Sequence, residues 1–206
     1  MVARILAVAV AMTLAASSGA LACQGKATAA LDDSFKTPDP GWGPPDNAAA
    51  FTPGGLALKP PVNGSAWRWN PNYAIDGSNL CVSVVNPVEA HGKDSGDVGV
   101  WFWSHNAQNF YTATLSLDGS VAIDRLVNGV WHNVLPPTPS SAVRTKPGAL
   151  NEVEVTVKGN TGSFYVNGTK VADFRGDPPP RGGPPGVYAE SGNAGVTWVF
   201  PRVQLF

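Results

Sequence analysis

Residues 97–131, DVGVWFWSHNAQNFYTATLSLDGSVAIDRLVNGVW, predict a run of consecutive β-strands joined by tight turns. Asp118-Gly119 and Asn128-Gly129 are dipeptides that favour type I′ hairpins, in which both central residues need positive φ. The segments between these turns are rich in β-branched and apolar residues. This stretch therefore predicts at least three neighbouring antiparallel strands.

The side chains of this stretch alternate in the way that strand residues do. In VGVWFWS, alternation places Trp101 and Trp103 on one face and aliphatic and aromatic residues on the other (Val98, Val100 and Phe102). In the next strand Tyr111 shares a face with apolar residues, and Thr112 and Thr114 share the opposite face. A strand that is apolar on both faces is either buried twice or presents an aromatic surface to a ligand.

The composition predicts one all-β domain. The chain has 206 residues, with 23 Gly, 19 Pro and only 14% charged residues, which suits short strands joined by many turns. Its formal net charge is −1 and it has no basic cluster, so nucleic acid is not an expected partner.

Outside the opening stretch, short alternating segments predict about ten to twelve strands in a two-sheet antiparallel sandwich or jelly roll. In NEVEVTVKG, alternation directs the valines inward and places Glu152 and Glu154 on a solvated outer face. Residues 60–73 and the Pro-rich residues 134–148 are predicted to be irregular.

The N-terminus predicts export. Residues 1–22 hold one early cation, an apolar run too short to span a membrane, and a small-residue cleavage site formed by Ala20 and Ala22. We therefore expect a signal peptide, a short tether at residues 23–31 and a domain at residues 32–206. The protein would then be periplasmic or secreted, with no membrane span after cleavage.

Two cysteines remain after that cleavage, Cys23 and Cys81. Cys23 would be the first mature residue, which leaves lipid anchoring through that thiol as an alternative. The residues before it match a lipobox poorly, because Ala20 stands where Leu is expected. A disulfide between Cys23 and Cys81 is the favoured interpretation for an oxidising compartment.

The order of the motifs resembles the concanavalin A-like lectin/glucanase superfamily. The similarity rests on four segments that cover nearly all of residues 32–206: DDSF, VGVWFWSHNAQNFYTATLSLDG, EVTVKGNTGSFYVNGTKVADF and GVYAESGNAGVTWVFPRVQLF. More narrowly, the chain looks like bacterial 3-keto-disaccharide hydrolase-type domains, with strand patterns shared by laminin-G-like modules. The resemblance implies a jelly roll of two curved sheets whose concave face holds a glycan in many relatives.

The aromatic face of the opening stretch is the predicted glycan site. Trp101 and Trp103 could stack on a sugar ring, but they could equally be core residues, as tryptophans usually are. Further candidates supply hydroxyl, amide or aromatic contacts: Gln108, Asn109, Thr112, Thr114 and Trp131.

The evidence for catalysis in the sequence is limited to single carboxyl groups. Glucanases of the resembled superfamily carry an E-x-D-x-x-E strand, and nothing here matches it. Retaining hydrolysis needs two carboxyl groups about 5 Å apart, and the candidates are Glu190, Glu154 and Asp97. The alternative for Glu190 is a structural ion pair with Arg125 or Arg202.

No cofactor is predicted with a defined ligand set. Asp94 and Asp97, in a loop that also holds His91, are the candidates for calcium, but calcium takes six to eight oxygen ligands. The three histidines have no zinc spacing.

Three functions remain open on the sequence. The first is an exported carbohydrate-binding sandwich without a glucanase motif, whose partner is a glycan. The second is a hydrolase acting on 3-keto-type or other modified glycosides. The third is a structural or protein-interaction module of the cell envelope. The sequence does not indicate the oligomeric state.

Overall fold

A computed structural model describes Cys23, residues 28–89 and residues 92–206, so the predicted signal peptide and His91 lie outside the described residues. Fourteen strands form the domain: β1 Leu31–Asp33, β2 Ala49–Thr52, β3 Gly55–Leu58, β4 Gly64–Trp69, β5 Asn79–Val85, β6 Asp97–Asn106, β7 Asn109–Ser116, β8 Ser120–Val127, β9 Val130–Pro139, β10 Leu150–Lys158, β11 Thr161–Val166, β12 Thr169–Arg175, β13 Gly186–Ser191 and β14 Trp198–Leu205. Among the described residues, the helical segments are three short 3-10 turns at Pro40–Trp42, Gly92–Ser95 and Pro180–Gly182. In the part of the chain described, no helix has the length and apolar character needed to cross a membrane.

The strands form two antiparallel sheets. The larger sheet runs β12-β11-β10-β5-β14-β3-β2, with β1 paired to β14, and the smaller runs β4-β13-β6-β7-β8-β9. Apolar side chains from both sheets, such as Val100 and Val155, are fully buried in the shared core. The predicted two-sheet antiparallel sandwich is therefore confirmed, as are the inward valines of β10.

The two hairpin turns that were predicted to be type I′ have different conformations in the structure. At Asn128-Gly129 both residues have positive φ, 49° and 80°, which is the predicted type I′ geometry. At Asp118-Gly119 only the glycine does, with φ of 89°, and its N–H donates to the Ser116 carbonyl at 3.0 Å. The type I′ prediction is wrong there, because three residues rather than two connect β7 to β8 and the glycine takes the left-handed position.

Two strands arise in segments that were predicted to be irregular. They are β4, in residues 60–73, and most of β9, which contains Pro136 and Pro137. Both are edge strands of the six-stranded sheet, where proline and loop-like composition are tolerated because one side of the strand needs no ladder hydrogen bonds. These edges matter because they carry Trp67, Trp69 and Trp131.

A β-bulge near the end of β6 separates the two tryptophans of the opening stretch. Trp103 has a φ of 46°, and the register between β6 and β7 shifts after Phe102. Its ring joins the core between the sheets, where a Cβ at Gly176 would lie 2.5 Å from it. The prediction that Trp101 and Trp103 share a face is wrong, because the bulge rotates the second side chain inward.

The outer face of the larger sheet is more buried than predicted. Glu154 is only 2% exposed and pairs in register with Cys81, which is itself aligned with Gln204 of β14. The expectation that Glu154 lies on a solvated face is therefore wrong.

Cys81 forms the predicted disulfide with Cys23, 58 residues earlier. Replacing both cysteines with serine should lower the free energy of unfolding by about 2–4 kcal/mol, because the open chain gains conformational entropy when unfolded. Urea unfolding of the Cys23→Ser/Cys81→Ser variant measures this. The oxidised and reduced wild-type proteins provide the control, and equal stability of the two would contradict the expectation.

Candidate functional site

The outer face of the six-stranded sheet carries a continuous row of side chains set by strand register. Trp101 pairs with Thr112, and Thr112 pairs with Asp124 on the next strand. One row away, Tyr188 of β13 pairs with Gly99 and with Trp67. Residues two apart on one strand share a face, so these rows place polar and aromatic groups side by side.

Three carboxyl groups from three strands meet in one cleft on this face. Its innermost part encloses about 180 Å³ and is lined by Asp97, Thr112, Thr114, Asp124, Trp131, Tyr188 and Glu190. It opens into a wider part of about 590 Å³ that shares Asp97, Trp131, Tyr188 and Glu190 and adds several small polar residues, among them Ser65, Ser116, Asp118 and Ser120. These two parts together are called the carboxylate cleft below. Such a cleft also argues against the flat, filled surface expected of a purely structural module.

An aromatic cluster borders the cleft. Trp101 is fully buried and lies 3.6 Å from Phe110 between ring centroids, with Trp67 and Trp69 stacked on it at 5.4 and 5.5 Å. Trp101 therefore presents no free ring to a ligand. Its ring instead packs among the aromatic side chains that border the cleft.

Within the carboxylate cleft, Trp131 is the aromatic group that a ligand can reach. Of the seven tryptophans, all within the described residues, it alone is exposed, at 44%. Its ring is held edge-on by Phe110 at 5.5 Å and by Tyr188 at 6.2 Å. A partly exposed indole fixed by its neighbours is suited to stacking against the apolar face of a sugar.

Burial and mutual repulsion make the carboxyl groups of the cleft hard to ionise. Burial, reinforced by the charge of Glu190, raises the pKa of Asp97 to about 7, although the nearby Ser116 hydroxyl opposes the shift. Burial also raises the pKa of Asp124, despite a 2.6 Å hydrogen bond from the Asn133 amide. A carboxyl that titrates near neutrality in a cleft is typical of functional sites.

Glu190 is positioned by a tyrosine and not by arginine. The Tyr188 hydroxyl donates a 2.5 Å hydrogen bond to Glu190 Oε1, while burial still raises the pKa of this carboxyl. Arg125 instead pairs with Asp177 at 3.1 Å, and Arg202 pairs with Asp32 at 2.6 Å. The structural ion pair expected for Glu190 is therefore wrong.

The predicted site residues divide among several places. Thr112, Thr114, Trp131, Asp97 and Glu190 line the carboxylate cleft. Trp101 lies in the bordering cluster, and Trp103 lies in the core. Two others support the β6–β7 turn: the Gln108 N–H and the Asn109 side-chain amide both donate to Asn106 Oδ1. Asn109 Oδ1 also accepts the Asn128 N–H of the β8–β9 turn. Glu154 lies on the other sheet.

The two calcium candidates do not converge. Asp97 lies in the cleft, whereas Asp94 is exposed in the Gly92–Ser95 turn and its carbonyl accepts the Ala194 N–H. Across residues 28–89 and 92–206 and Cys23, no three histidine, cysteine or carboxylate side chains are grouped to hold a metal ion. This donor set does not fit calcium, which takes six to eight oxygens.

Asp124 is the main site residue that the sequence analysis missed. It stands in the apolar strand segment SVAIDRLV, where a charged residue is unusual. Counting outward from a two-residue loop at Asp118-Gly119 would place Arg125 opposite Thr112. The three-residue loop shifts the register by one and places Asp124 there, so the sequence alone did not identify it. Ser116 was placed on the correct face but was not named as a site residue.

A larger groove of about 850 Å³ runs along β10–β12 on the other sheet. Its only carboxyl group among the described residues is Asp173, which forms an ion pair with Lys170 at 2.7 Å. Its only aromatic side chain there, Phe174, is 7% exposed and belongs to the core. The one carboxylate of this groove is paired and its one aromatic ring is buried, whereas the other cleft combines several carboxyl groups with an exposed ring, so the carboxylate cleft is the candidate site.

Comparisons with known proteins give structural similarity without sequence similarity. No protein-family model matches the chain, and no curated protein matches it in sequence. Solved structures with a similar fold include the following three. The carbohydrate-binding module CBM66 from Bacillus subtilis is 16% identical over 78% of this chain and 91% of that chain, with a TM-score of 0.58. The exoplasmic/lumenal domain of VIP36, in a Ca²⁺/Man3GlcNAc-bound form, is 15% identical over 77% and 81%, with a TM-score of 0.57. The carbohydrate recognition domain of Emp46p, in its metal-free form, is 14% identical over 77% and 84%, with a TM-score of 0.56. At these identities the likeness establishes the fold, which is the lectin-type sandwich that the sequence predicts.

Proposed function

We propose that the protein binds a glycan in the carboxylate cleft. The observation that carries the proposal is the meeting of three carboxyl groups, Asp97, Asp124 and Glu190, with the exposed ring of Trp131. Carboxylates accept hydrogen bonds from sugar hydroxyls, and an indole packs against the apolar face of a pyranose. The sandwich shared with a carbohydrate-binding module and with lectin domains supports this proposal.

The shape of the cleft suits a short segment of glycan. Its innermost 180 Å³ is comparable to one sugar residue, and Thr112 and Thr114 lie in its floor as hydroxyl partners. The wider part provides room for neighbouring residues of a chain. Affinity for a single short oligosaccharide should be modest, because much of the ligand stays exposed to water.

A glycan array probed with the purified, disulfide-bonded protein tests the proposal. We expect binding to a limited set of related glycans, confirmed in solution by calorimetry. The absence of binding to any glycan at millimolar concentration would contradict it.

Hydrolysis of a modified glycoside is the second candidate function. It is favoured by the pKa of Asp97, about 7, beside a second carboxyl, Glu190, that Tyr188 helps to keep charged. Such a pair could supply a general acid and a base or nucleophile. The narrower resemblance to 3-keto-disaccharide hydrolase-type domains belongs to this candidate. Release of reducing ends from a bound oligosaccharide distinguishes it from binding alone.

A further inference from the structure

The carboxylate cleft carries an unbalanced negative charge. Three half-buried carboxyl groups line it, those of Asp97, Asp124 and Glu190, and none of the described lining residues is lysine, arginine or histidine. Three arginines form ion pairs outside the cleft: Arg68 with Asp46, Arg125 with Asp177 and Arg202 with Asp32. Buried charges of one sign without a counter-charge are costly, so the cleft is poised to accept a cation.

A buried hydroxyl in the same cleft forms no hydrogen bond of regular geometry. Ser116 lines the wider part and is only 5% exposed, and its Oγ lies near the Asp97 carboxyl without forming a regular hydrogen bond to it or to any other described atom. A buried polar atom of this kind normally finds a partner in the protein, a water molecule or a ligand. The Ser116 Oγ is therefore an independent indication that a polar group occupies this space.

We propose that the carboxylate cleft selects a positively charged glycan, namely an oligosaccharide of amino sugars with free ammonium groups. This inference rests on the proposed glycan-binding function and specifies the class of its ligand. An ammonium group would offset the repulsion among Asp97, Asp124 and Glu190 and could donate to the Ser116 hydroxyl. The neighbouring face of Trp131 adds the attraction of an aromatic ring for a cation.

The raised pKa of the cleft carboxyls supports this assignment. Asp97 loses its proton only near pH 7 because it is buried beside Glu190. A bound ammonium group would stabilise the ionised form, so binding near pH 7 should release protons to the solvent. A neutral sugar would not stabilise the ionised form of Asp97 in this way, so its binding should release fewer protons.

Calorimetry with two matched tetrasaccharides tests the proposal at pH 6.5 and 50 mM salt. The probes are the β-1,4-linked glucosamine tetramer and its fully N-acetylated counterpart. We expect the glucosamine tetramer to bind about tenfold more tightly, and 300 mM salt to reduce the difference. Glu190→Gln/Asp124→Asn should bring the two affinities within about twofold of each other.

Asp173→Asn is the matched control, because it removes an exposed carboxylate on the other sheet and should leave the preference unchanged. Thermal unfolding of each variant confirms that it is folded. Equal or tighter binding of the N-acetylated tetramer would overturn the charge preference while leaving glycan binding intact. A tenfold preference that survives Glu190→Gln/Asp124→Asn would overturn the assignment to this cleft. If neither tetramer binds and the glycan array is also negative, both proposals fail.

Discussion

Asp97→Asn should stabilise the protein at pH 8 by up to about 4 kcal/mol and should have little effect near pH 4. The carboxyl has a pKa of about 7 in the folded protein against a reference value of 3.8, because it is buried beside Glu190. Below pH 4 it is protonated in both states and resembles asparagine. Between pH 4 and about pH 7 the folded state retains a proton that the unfolded state loses, so the wild type loses stability as the pH rises.

Urea unfolding of the wild type and of Asp97→Asn at pH 4, 6 and 8 measures this difference. Asp173→Asn is the control, because the pKa of Asp173 is lowered by Lys170 and its loss should not stabilise the protein at pH 8. If Asp97→Asn changes stability equally at all three pH values, the pKa of the Asp97 carboxyl is not raised in the folded protein.

Such a stabilising substitution would also bear on function. A protein that keeps Asp97, Asp124 and Glu190 together loses stability through their burial and mutual repulsion. Asparagine would occupy the same position without this penalty. Residues that lower stability and line a cleft are typical of sites retained for binding or chemistry.

Trp131→Ala should weaken glycan binding about 30-fold while changing stability little. The indole is the exposed ring of the cleft, and its removal takes away the stacking surface for a sugar. Trp131→Phe should retain part of the affinity, because a smaller ring still stacks. Isothermal titration calorimetry with the tightest glycan found on the array gives the affinities.

Leu150→Ala is a matched control, because Leu150 is a large apolar residue of similar exposure, 43%, on the other sheet. It should bind the glycan as the wild type does. Wild-type affinity in Trp131→Ala would show that the ligand does not contact this ring. A comparable loss in Leu150→Ala would place binding on the other sheet.

The local parts of the fold were predictable because hairpins couple neighbouring strands. The alternation in β7 identified Thr112 and Thr114 as outer residues, and the Asn128-Gly129 turn fixed the pairing of β8 with β9. The inward turn of Trp103 was not predictable, since it depends on the close approach of Gly176 from a distant loop. Alternation describes regular strands, and tertiary contacts decide where a bulge interrupts them.

The candidate site was predictable only in its components. Asp97 and Glu190 were both identified, but they are more than 90 residues apart and meet because β13 pairs with β6. Nothing local in the sequence specifies that pairing. Trp131 was one of several aromatic candidates, and its exposure follows from its place on the edge strand β9.

The most direct test of the central claim is an NMR titration that follows the indole N–H signals of the seven tryptophans as a glycan from the array is added. We predict that the Trp131 signal shifts strongly, together with the backbone amides of Thr112, Thr114 and Glu190. Trp103 and Trp198, which are buried in the core, should change little. Shifts confined to the groove around Asp173 and Phe174, with Trp131 unchanged, would contradict the claim that the carboxylate cleft is the glycan site.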